Sequence, residues 1–387
     1  MMEFELWWLL ALPLFFGLGW LAARVDIRQV MTESRAVPAS YFRGLNYLLN
    51  EQPDRAIEAF IEVVKVDSDT VDLHFALGGL FRKRGEVERA IRMHQNLVER
   101  EDLSAEQQIK ARFELGQDYL KAGLLDRAEA IFTHLNTGEM AEQARNFLLE
   151  IYVQEKDWSK AISAAQELSR GSNQTWHVEI GHYYCELANQ AWLGDQIEVA
   201  RAYLSDALTA NRDCVRANML LGDIAIGRDE VNAAITAWRR VESQKEPYLT
   251  LVAERIMAAY CRAGREADGL AFLRHALNRQ ASHELFDIEF SAVLRLEGAQ
   301  AAWVVANEQL RRSTSLRSLD RMLEAEIMIA PSERQAEVQL VKQAVHAHVH
   351  GLLVYQCQDC GFKARSFFWR CPACGQWDSF PPQRKED

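Results

Sequence analysis

Four cysteines near the end of the 387-residue chain lie in two closely spaced pairs. Cys357 and Cys360 form one C-x2-C pair, Cys371 and Cys374 form the other, and ten residues separate the two pairs. At this spacing four thiolates can close a tetrahedral metal site. Because protein ligands would fill all four positions, we predict a structural site for one zinc or iron ion, two metals that the pattern does not distinguish. Unliganded thiols, or two disulfides, are the alternative.

The segment that must position these cysteines, residues 351–387, is too short to build an adequate core alone, so a metal would supply much of its folding energy. Gly361 and Gly375 each follow the second cysteine of a pair, where a tight turn often needs a positive φ. The segment holds more aromatic residues than it can bury, so we predict that some dock onto the last helices of the preceding domain. These aromatic residues are Tyr355, Phe362, Phe367, Phe368, Trp369, Trp377 and Phe380.

A repeated pattern fills the middle of the chain: a small residue, an apolar or aromatic residue three positions on, and a second small residue nine further. Clear copies are GLNYLLNEQPDRAIEAF and LGQDYLKAGLLDRAEAIF. The second small residue recurs after 34, 38, 33, 39, 34 and 35 residues, which is the tetratricopeptide period of about 34. Small residues let two antiparallel helices approach closely while the aromatic residue fills the adjacent groove. The seven positions are Ala56, Ala90, Ala128, Ala161, Ala200, Ala234 and Gly269.

The pattern therefore predicts an all-α protein, a tetratricopeptide-repeat solenoid with a small tetracysteine domain after it. Gly85, Gly123 and Gly264 are predicted to lie in left-handed turns between paired helices. One or two degenerate repeats are predicted between residues 286 and 329. The predicted organisation is an anchor at 1–23, a linker at 24–35, the solenoid at 36–330, a connecting helix at 331–350 and the metal-binding domain at 351–387.

The anchor is predicted from Leu6–Ala23, an uncharged run of 18 residues. A membrane-spanning helix needs about 20 mostly apolar residues, within a range of about 17–25. Glu3 and Glu5 precede the run, so the basic segment of a cleaved signal peptide, the alternative, is missing. Basic residues follow the run and place the rest of the chain in the cytoplasm. These are Arg24, Arg28 and Arg35.

The net charge and the absence of certain motifs exclude some classes of function. With 44 basic and 55 acidic side chains, the net charge of -11 argues against a general nucleic-acid binder. No phosphate-binding loop or catalytic motif is present, so we predict a binding scaffold and not an enzyme. The basic run of Arg82, Lys83, Arg84, Arg89 and Arg92 is either a solvated helix face or a docking site for an acidic partner.

The other cysteines and the histidines before the tail have simpler interpretations. Cys185, Cys214 and Cys261 lack metal-ligand spacing and are predicted to be buried structural thiols. His346, His348 and His350 do not share one face of a helix, so a solvated helix end is predicted there in preference to further metal ligands.

The order of anchor, repeat array and tetracysteine tail resembles the lipopolysaccharide assembly protein B (LapB/YciM) family of Gram-negative bacteria. The segments that carry the resemblance include NYLLNEQPDRAIEAF, LGGLFRKRGEVERAIRMHQNL and YQCQDCGFKARSFFWRCPACGQW. The resemblance implies a rubredoxin-like tail in which Cys357, Cys360, Cys371 and Cys374 hold the metal.

The resemblance also implies a function: an inner-membrane adaptor, with its repeats in the cytoplasm, that helps the FtsH-type membrane protease degrade the LpxC deacetylase and so limits lipopolysaccharide synthesis. It implies a link to an inner-membrane regulator of the PbgA/YejM type. Two alternatives stay open: a scaffold for lipopolysaccharide synthesis and transport enzymes without a proteolytic role, and an iron redox protein. Whether copies of the chain associate is left open by the sequence.

Overall fold

The computed structural model describes residues 15–17, 19–20, 39–50, 52–66, 71–171, 175–349, 353–383 and 385–386. Residues 1–144 and 145–387 form two compact units. Most of the predicted anchor lies outside the described residues, although 15–17 and 19–20 are helical. Within the described part of the chain, none of the helices combines the length and apolar character needed to cross a membrane.

The described residues are overwhelmingly helical, as the sequence predicts. The first unit contains α1 (Ala39–Leu49), α2 (Pro53–Val66), α3 (Val71–Lys83), α4 (Val87–Val98), α5 (Ala105–Lys121), α6 (Leu125–His134) and the start of α7 (Ala141–Glu155). The second continues with α8 (Trp158–Gly171), α9 (His177–Leu193), α10 (Ile197–Ala210), α11 (Val215–Gly227) and α12 (Val231–Gln244). After a 3-10 helix (Glu246–Leu251) come α13 (Ala253–Arg262), α14 (Glu266–Arg279), α15 (His283–Leu296), α16 (Ala299–Arg312), α17 (Leu316–Ile329) and α18 (Ser332–Val349).

Close helix packing at the repeating small residues is confirmed. All seven predicted positions are buried, and each lies in the second helix of a pair. A glycine in the first helix faces a ring sixteen residues later, in the pairs Gly116/Phe132 and Gly222/Trp238. A methyl group on Gly116 would lie 2.8 Å from Cζ of Phe132, and one on Gly222 would overlap the Trp238 indole. The absence of a side chain therefore sets how closely these helices approach.

The turns between paired helices use the left-handed conformation, and the prediction for three glycines is confirmed. Gly85, Gly123 and Gly264 have φ values of 81°, 73° and 66°. Other turns place a non-glycine residue there, namely Lys156 (60°), Asp195 (58°) and Asp229 (65°). Most L-residues cost roughly 1–2 kcal/mol in this conformation, and aspartate tolerates it better, so the fold holds the turn at Lys156 in particular against a local preference.

The period continues beyond the seven predicted positions. Fully buried Ala302, in α16, lies 33 residues after Gly269, and α15–α16 and α17–α18 form two further pairs. His348 is exposed, as predicted, and His350 lies outside the described residues. His346 is exposed as well, and its Nδ1 lies 3.2 Å from Oδ1 of buried Asp320. This contact joins α18 to α17.

The basic run in the first unit is largely paired with carboxylates. Arg82 donates to Asp118 at 2.7 Å and also pairs with Glu114, while Arg84 lies 3.0 Å from Asp54. Arg89 and Arg92 pair with glutamates one turn away. These contacts favour the interpretation as a solvated helix face, since four of the five cations already have anionic partners.

Candidate metal centre and its docking surface

Three short strands frame the tail. They are β1 (Leu353–Gln356), β2 (Lys363–Ala364) and β3 (Lys385–Glu386), in the order β2-β1-β3 with both pairings antiparallel. Tyr355 pairs with Ala364 in the first ladder. Because the first cysteine pair lies between β1 and β2, the hairpin carries its two thiols on one tight turn.

The two cysteine turns are built alike. Gly361 N–H donates to the Cys357 carbonyl at 3.0 Å, and Gly375 N–H donates to the Cys371 carbonyl at 2.9 Å. Each first cysteine donates its own N–H to a carbonyl just past the glycine, on Phe362 or Gln376. The glycines have φ values of 77° and 78°, which confirms the predicted positive φ. The same local chemistry thus presents both thiol pairs.

The four sulfur atoms converge in the geometry of a tetrathiolate site. All four Sγ atoms lie within 4.8 Å of one another. Cys357 Sγ is 3.8 Å from Cys374 Sγ, and Cys360 Sγ is 3.7 Å from Cys371 Sγ. With Zn–S bonds of about 2.3 Å, a tetrahedron has S···S edges of about 3.8 Å. A disulfide would require about 2.05 Å. The donor set therefore fits one tetrahedral ion, zinc or iron.

Very little of the tail is buried. Tyr355, Cys357, Cys371 and Phe380 form its apolar cluster, whereas Cys360 and Cys374 are exposed. A cluster this small cannot offset the chain entropy of about thirty residues. Its order must come from the metal and from the surface against which the tail lies.

One carboxylate of the tail, Asp378, makes the polar contacts with that surface. Its Oδ1 lies 2.8 Å from Nε2 of His182 on α9, and its Oδ2 accepts from Nζ of Lys245 at 2.9 Å. Burial alone would raise the pKa of Asp378, but the hydrogen bonds and charges of His182 and Lys245 outweigh burial and lower the pKa to about 2. Asp378 is therefore ionised at any physiological pH. It links the tail to α9 through His182 and to the end of α12 through Lys245.

Aromatic rings complete the docking. Trp377 stacks on His182, with ring centroids 4.6 Å apart, and meets Tyr183 edge-on. Trp369 stacks on Tyr248 at 5.8 Å. Burial raises the pKa values of both Tyr183 and Tyr248. The tail therefore takes part in two separate solenoid cores, with Trp377 in the cluster around Trp158 and Tyr183 and with Phe367 and Trp369 in the cluster around Trp238.

The prediction that aromatic residues of the tail dock onto the solenoid is confirmed, but the predicted location, the last helices, is wrong. The ion pairs and stacked rings join the tail to α9 and to the α12–α13 connection, in the middle of the repeats and not on the last helices. Phe362 and Phe368 stay about two-fifths exposed (40% and 38%), and Phe368 meets Phe380 of the tail edge-on. Asp378, His182 and Lys245 were missed because no local motif links residues that are 133 to 196 positions apart.

The three remaining cysteines are partly as predicted. Cys185 and Cys214 are buried, as predicted, and their Sγ atoms lie 3.7 Å apart, a contact that the sequence does not predict. The hydrogen bond from Cys185 lowers the pKa of Cys214 to about 7, against the opposing effect of burial. Cys261 is half-buried and accepts from the Arg295 guanidinium at 3.0 Å.

The fold and the site define a tetratricopeptide-repeat protein that carries a rubredoxin-type metal knuckle on its own repeats. Family models agree: residues 43–101 and 185–247 match the tetratricopeptide repeat, and residues 355–382 match a rubredoxin metal binding domain. Lipopolysaccharide assembly protein B of Escherichia coli strain K12 is 33% identical over 381 residues, covering 98% of each chain. This chain therefore belongs to the lipopolysaccharide assembly protein B family, as the sequence resemblance predicts.

Other relatives extend the comparison. Lipopolysaccharide assembly protein B of Haemophilus influenzae is 28% identical over 389 residues, again covering 98% of each chain. Among solved structures, the C-terminal part of a repeat-containing protein of Cytophaga hutchinsonii is 16% identical, with a TM-score of 0.39, and covers 60% of this chain and 93% of its own.

Proposed function

We propose that this protein acts in lipopolysaccharide assembly as a non-enzymatic adaptor of the inner membrane. It would promote degradation of the LpxC deacetylase by the FtsH-type protease and would be restrained by a PbgA/YejM-type regulator. The observation that carries the proposal is similarity over 98% of the chain to relatives named for lipopolysaccharide assembly, since it includes the solenoid and the metal knuckle together.

The docked tail supports a role as an adaptor, because a tail that contacts two sets of repeats stiffens the part of the solenoid between them. In a repeat array each repeat contacts only its neighbours, so the array bends easily. Here Trp377 joins the core of one set of repeats while Phe367 and Trp369 join another. We infer that Cys357, Cys360, Cys371 and Cys374 bind the metal and that the ion keeps the tail folded. The metal would supply only structure, since four protein ligands leave no open position.

A candidate surface for the deacetylase lies on the first helices of the last repeats. A cavity of about 340 Å³ there is lined by apolar side chains, including Met257 and Ile288, by the carboxylates of Glu254 and Asp287, and by the guanidinium groups of Arg295 and Arg321. Positions 229, 262 and 295 form a column with a spacing of 33, in which Asp229 pairs with Arg262 at 2.7 Å. Among the described residues no carboxylate lies within ion-pair distance of Arg295, whose hydrogen bond goes to Cys261. An acidic side chain of a partner could therefore form an ion pair with Arg295.

The anchor would act through effective concentration. If residues 6–23 span the membrane, adaptor and protease share one bilayer, and weak individual contacts suffice for delivery. The test is the deacetylase half-life in cells whose only copy of this protein is the full chain, a form lacking residues 1–23, or a form with an unrelated membrane helix in their place. The full chain should shorten the half-life, the truncation should not, and the chimera should restore most of the effect.

Two outcomes would redirect the proposal. If the half-life does not depend on the full chain, the protein would be a scaffold for synthesis and transport enzymes without a proteolytic role. If the unrelated helix fails while the protein stays membrane-bound, the native helix must contact the protease or the regulator directly. Visible absorption of the purified protein separates iron from zinc, because only the iron–thiolate site is coloured.

A further inference from the structure

Two buried cysteines that take no part in the metal site lie in contact with each other. Cys185, in the middle of α9, is 0% exposed, and Cys214, in the connection before α11, is 2% exposed. Their Sγ atoms are 3.7 Å apart, although the residues are 29 positions apart in the chain. A disulfide bond has a length of about 2.05 Å, so the two sulfur atoms would have to approach by about 1.7 Å to form one. A small local shift is therefore enough to join them.

The connection between α10 and α11, which carries Cys214, packs against α9 on one side. Cys214 Sγ and the Asn211 side chain face Gly181: a methyl group on that glycine would lie 3.6 Å from the sulfur and 3.2 Å from Cβ of Asn211. The next residue of α9, His182, pairs with Oδ1 of Asp378 in the tail. A movement of Cys214 toward α9 therefore acts on the turn of α9 that holds the tail.

The other side of the same connection is bonded to the end of α12. The Arg212 carbonyl accepts a hydrogen bond from Nε2 of Gln244 at 2.6 Å. Lys245, the next residue, donates to Oδ2 of Asp378. The connection thus lies between the two groups that hold the tail carboxylate. In a close-packed interior a shift is passed on to its neighbours, so a change at Cys214 reaches both docking contacts.

The surroundings of Cys214 favour its thiolate, which is the form that reacts with oxidants. The pKa of Cys214 is lowered to about 7 by the hydrogen bond from Cys185, by the charge of His182 and by the N–H of Ala217 in the first turn of α11, against the opposing effect of burial. Burial instead raises the pKa of Cys185. Cys214 is thus the nucleophile of the pair, and Cys185 is the thiol that can complete a disulfide.

We propose that Cys185 and Cys214 form a redox-sensitive pair, which a hydroperoxide converts into a disulfide, and that this disulfide loosens the docking of the metal-binding tail. Because both thiols are buried, the peroxide reaches them when the connection before α11 opens locally. Loosening would release the two sets of repeats that the tail links through Trp377 and Trp369.

The reaction consumes one hydroperoxide for each disulfide. The Cys214 thiolate attacks one oxygen of hydrogen peroxide, the S–O bond forms as the O–O bond breaks, and the leaving hydroxide takes up the proton that Cys214 had released. The Cys185 thiol then attacks the Cys214 sulfur, the S–S bond replaces the S–O bond, and the hydroxyl leaves with the Cys185 proton. Two electrons thus pass from the two sulfur atoms to the peroxide, which is reduced to two waters.

The test treats the purified full-length protein, loaded with its metal, with hydrogen peroxide. After free thiols are blocked and the protein is digested without reductant, mass spectrometry maps the disulfides. We expect the peptides that carry Cys185 and Cys214 to be joined, in a yield several-fold above any pairing of Cys261. Hydrogen exchange in residues 367–380 should become several-fold faster, and dithiothreitol should reverse both changes.

Cysteine variants separate the pair from the metal site, whose thiolates peroxide can also oxidise. Cys214→Ala removes the attacking sulfur and keeps the four converging thiols, whereas Cys261→Ser keeps the pair. Peroxide should accelerate exchange in the wild type and in Cys261→Ser, with one metal ion retained by elemental analysis, but not in Cys214→Ala. If circular dichroism shows that Cys214→Ala is misfolded, Cys185→Ala replaces it, because it removes the second sulfur of the same pair.

Three results would overturn the proposal. If no disulfide joins residues 185 and 214 at a peroxide dose that oxidises other residues of the protein, the contact is packing alone. If the disulfide forms while exchange in residues 367–380 stays the same or slows, the disulfide does not loosen the tail. Equal acceleration in the wild type and in Cys214→Ala, with loss of the metal, would assign the peroxide sensitivity to the tetracysteine site instead.

Discussion

The tetracysteine tail and the solenoid repeats on which it lies are stabilised in different ways. The α11–α12 pair closes around Gly222 and buried Trp238, so its stability depends on shape and apolar burial. The apolar cluster of the tail consists of only four buried side chains, and two of its four thiols are exposed. The tail must therefore be stabilised by a metal ion and by its contacts with two solenoid cores. One chain thus combines helix pairs whose packing needs no ligand with a tail whose fold depends on a metal ion.

The largest effect should come from breaking the metal site. Cys371→Ser removes one of the four converging thiols, and metal binding contributes about 10–16 kcal/mol to folding in small zinc domains. We expect metal content by elemental analysis to fall from one ion per chain to near zero, and hydrogen exchange to become fast across residues 353–383. Helix content should change little. Cys261→Ser is the control, and full metal content in Cys371→Ser would refute the tetrathiolate assignment.

The solenoid should instead be sensitive to volume. Gly222→Ala places a methyl group in the Trp238 indole, and such overpacking costs about 1–3 kcal/mol. The midpoint of chemical unfolding should fall while the purified protein keeps its metal. Gly227→Ala is the matched control in the same helix, because nothing lies within 4 Å of the added carbon. Equal effects of the two substitutions would show that the close approach is not what stabilises the pair.

Docking can be separated from metal binding at Asp378. Asp378→Asn removes the charge that holds His182 and Lys245, and a charged hydrogen bond contributes about 1.5–3 kcal/mol. We expect one bound metal ion still, but faster hydrogen exchange in residues 367–380 and in α9. Asp359→Asn, at an exposed position of the same tail, should change neither quantity. Metal loss in Asp378→Asn would mean that docking and the metal site are one cooperative unit.

The smallest effects concern the turns between helices. Gly264→Ala should destabilise by about 1 kcal/mol, because an L-residue disfavours its φ of 66° while nothing crowds the new carbon. Lys156→Gly should stabilise by up to about 1 kcal/mol, since it relieves the same strain at a φ of 60°. Both are measured by chemical unfolding. Changes of the same sign in the two variants would contradict a backbone origin.

Much of the fold followed from the sequence because its determinants are local. The small residues that pair helices recur with a fixed period, and the glycines after each cysteine pair are set by a turn of five residues. The thiol geometry likewise follows from two short knuckles. The left-handed positions of Lys156, Asp195 and Asp229 did not follow, since lysine gives no signal for a positive φ and aspartate, although it tolerates one, is common in many other conformations. There the neighbouring helices impose the turn.

By itself the sequence determined the class of repeat, the converging cysteines and the family, because each depends on spacing within a few tens of residues. Only the tertiary structure decided where the tail lies. Asp378 meets His182 across 196 positions and Lys245 across 133, and Cys185 meets Cys214 across a helix pair. These contacts depend on how many repeats stack between the partners and on the direction in which the tail returns. Both are properties of the assembled helices that no short segment encodes.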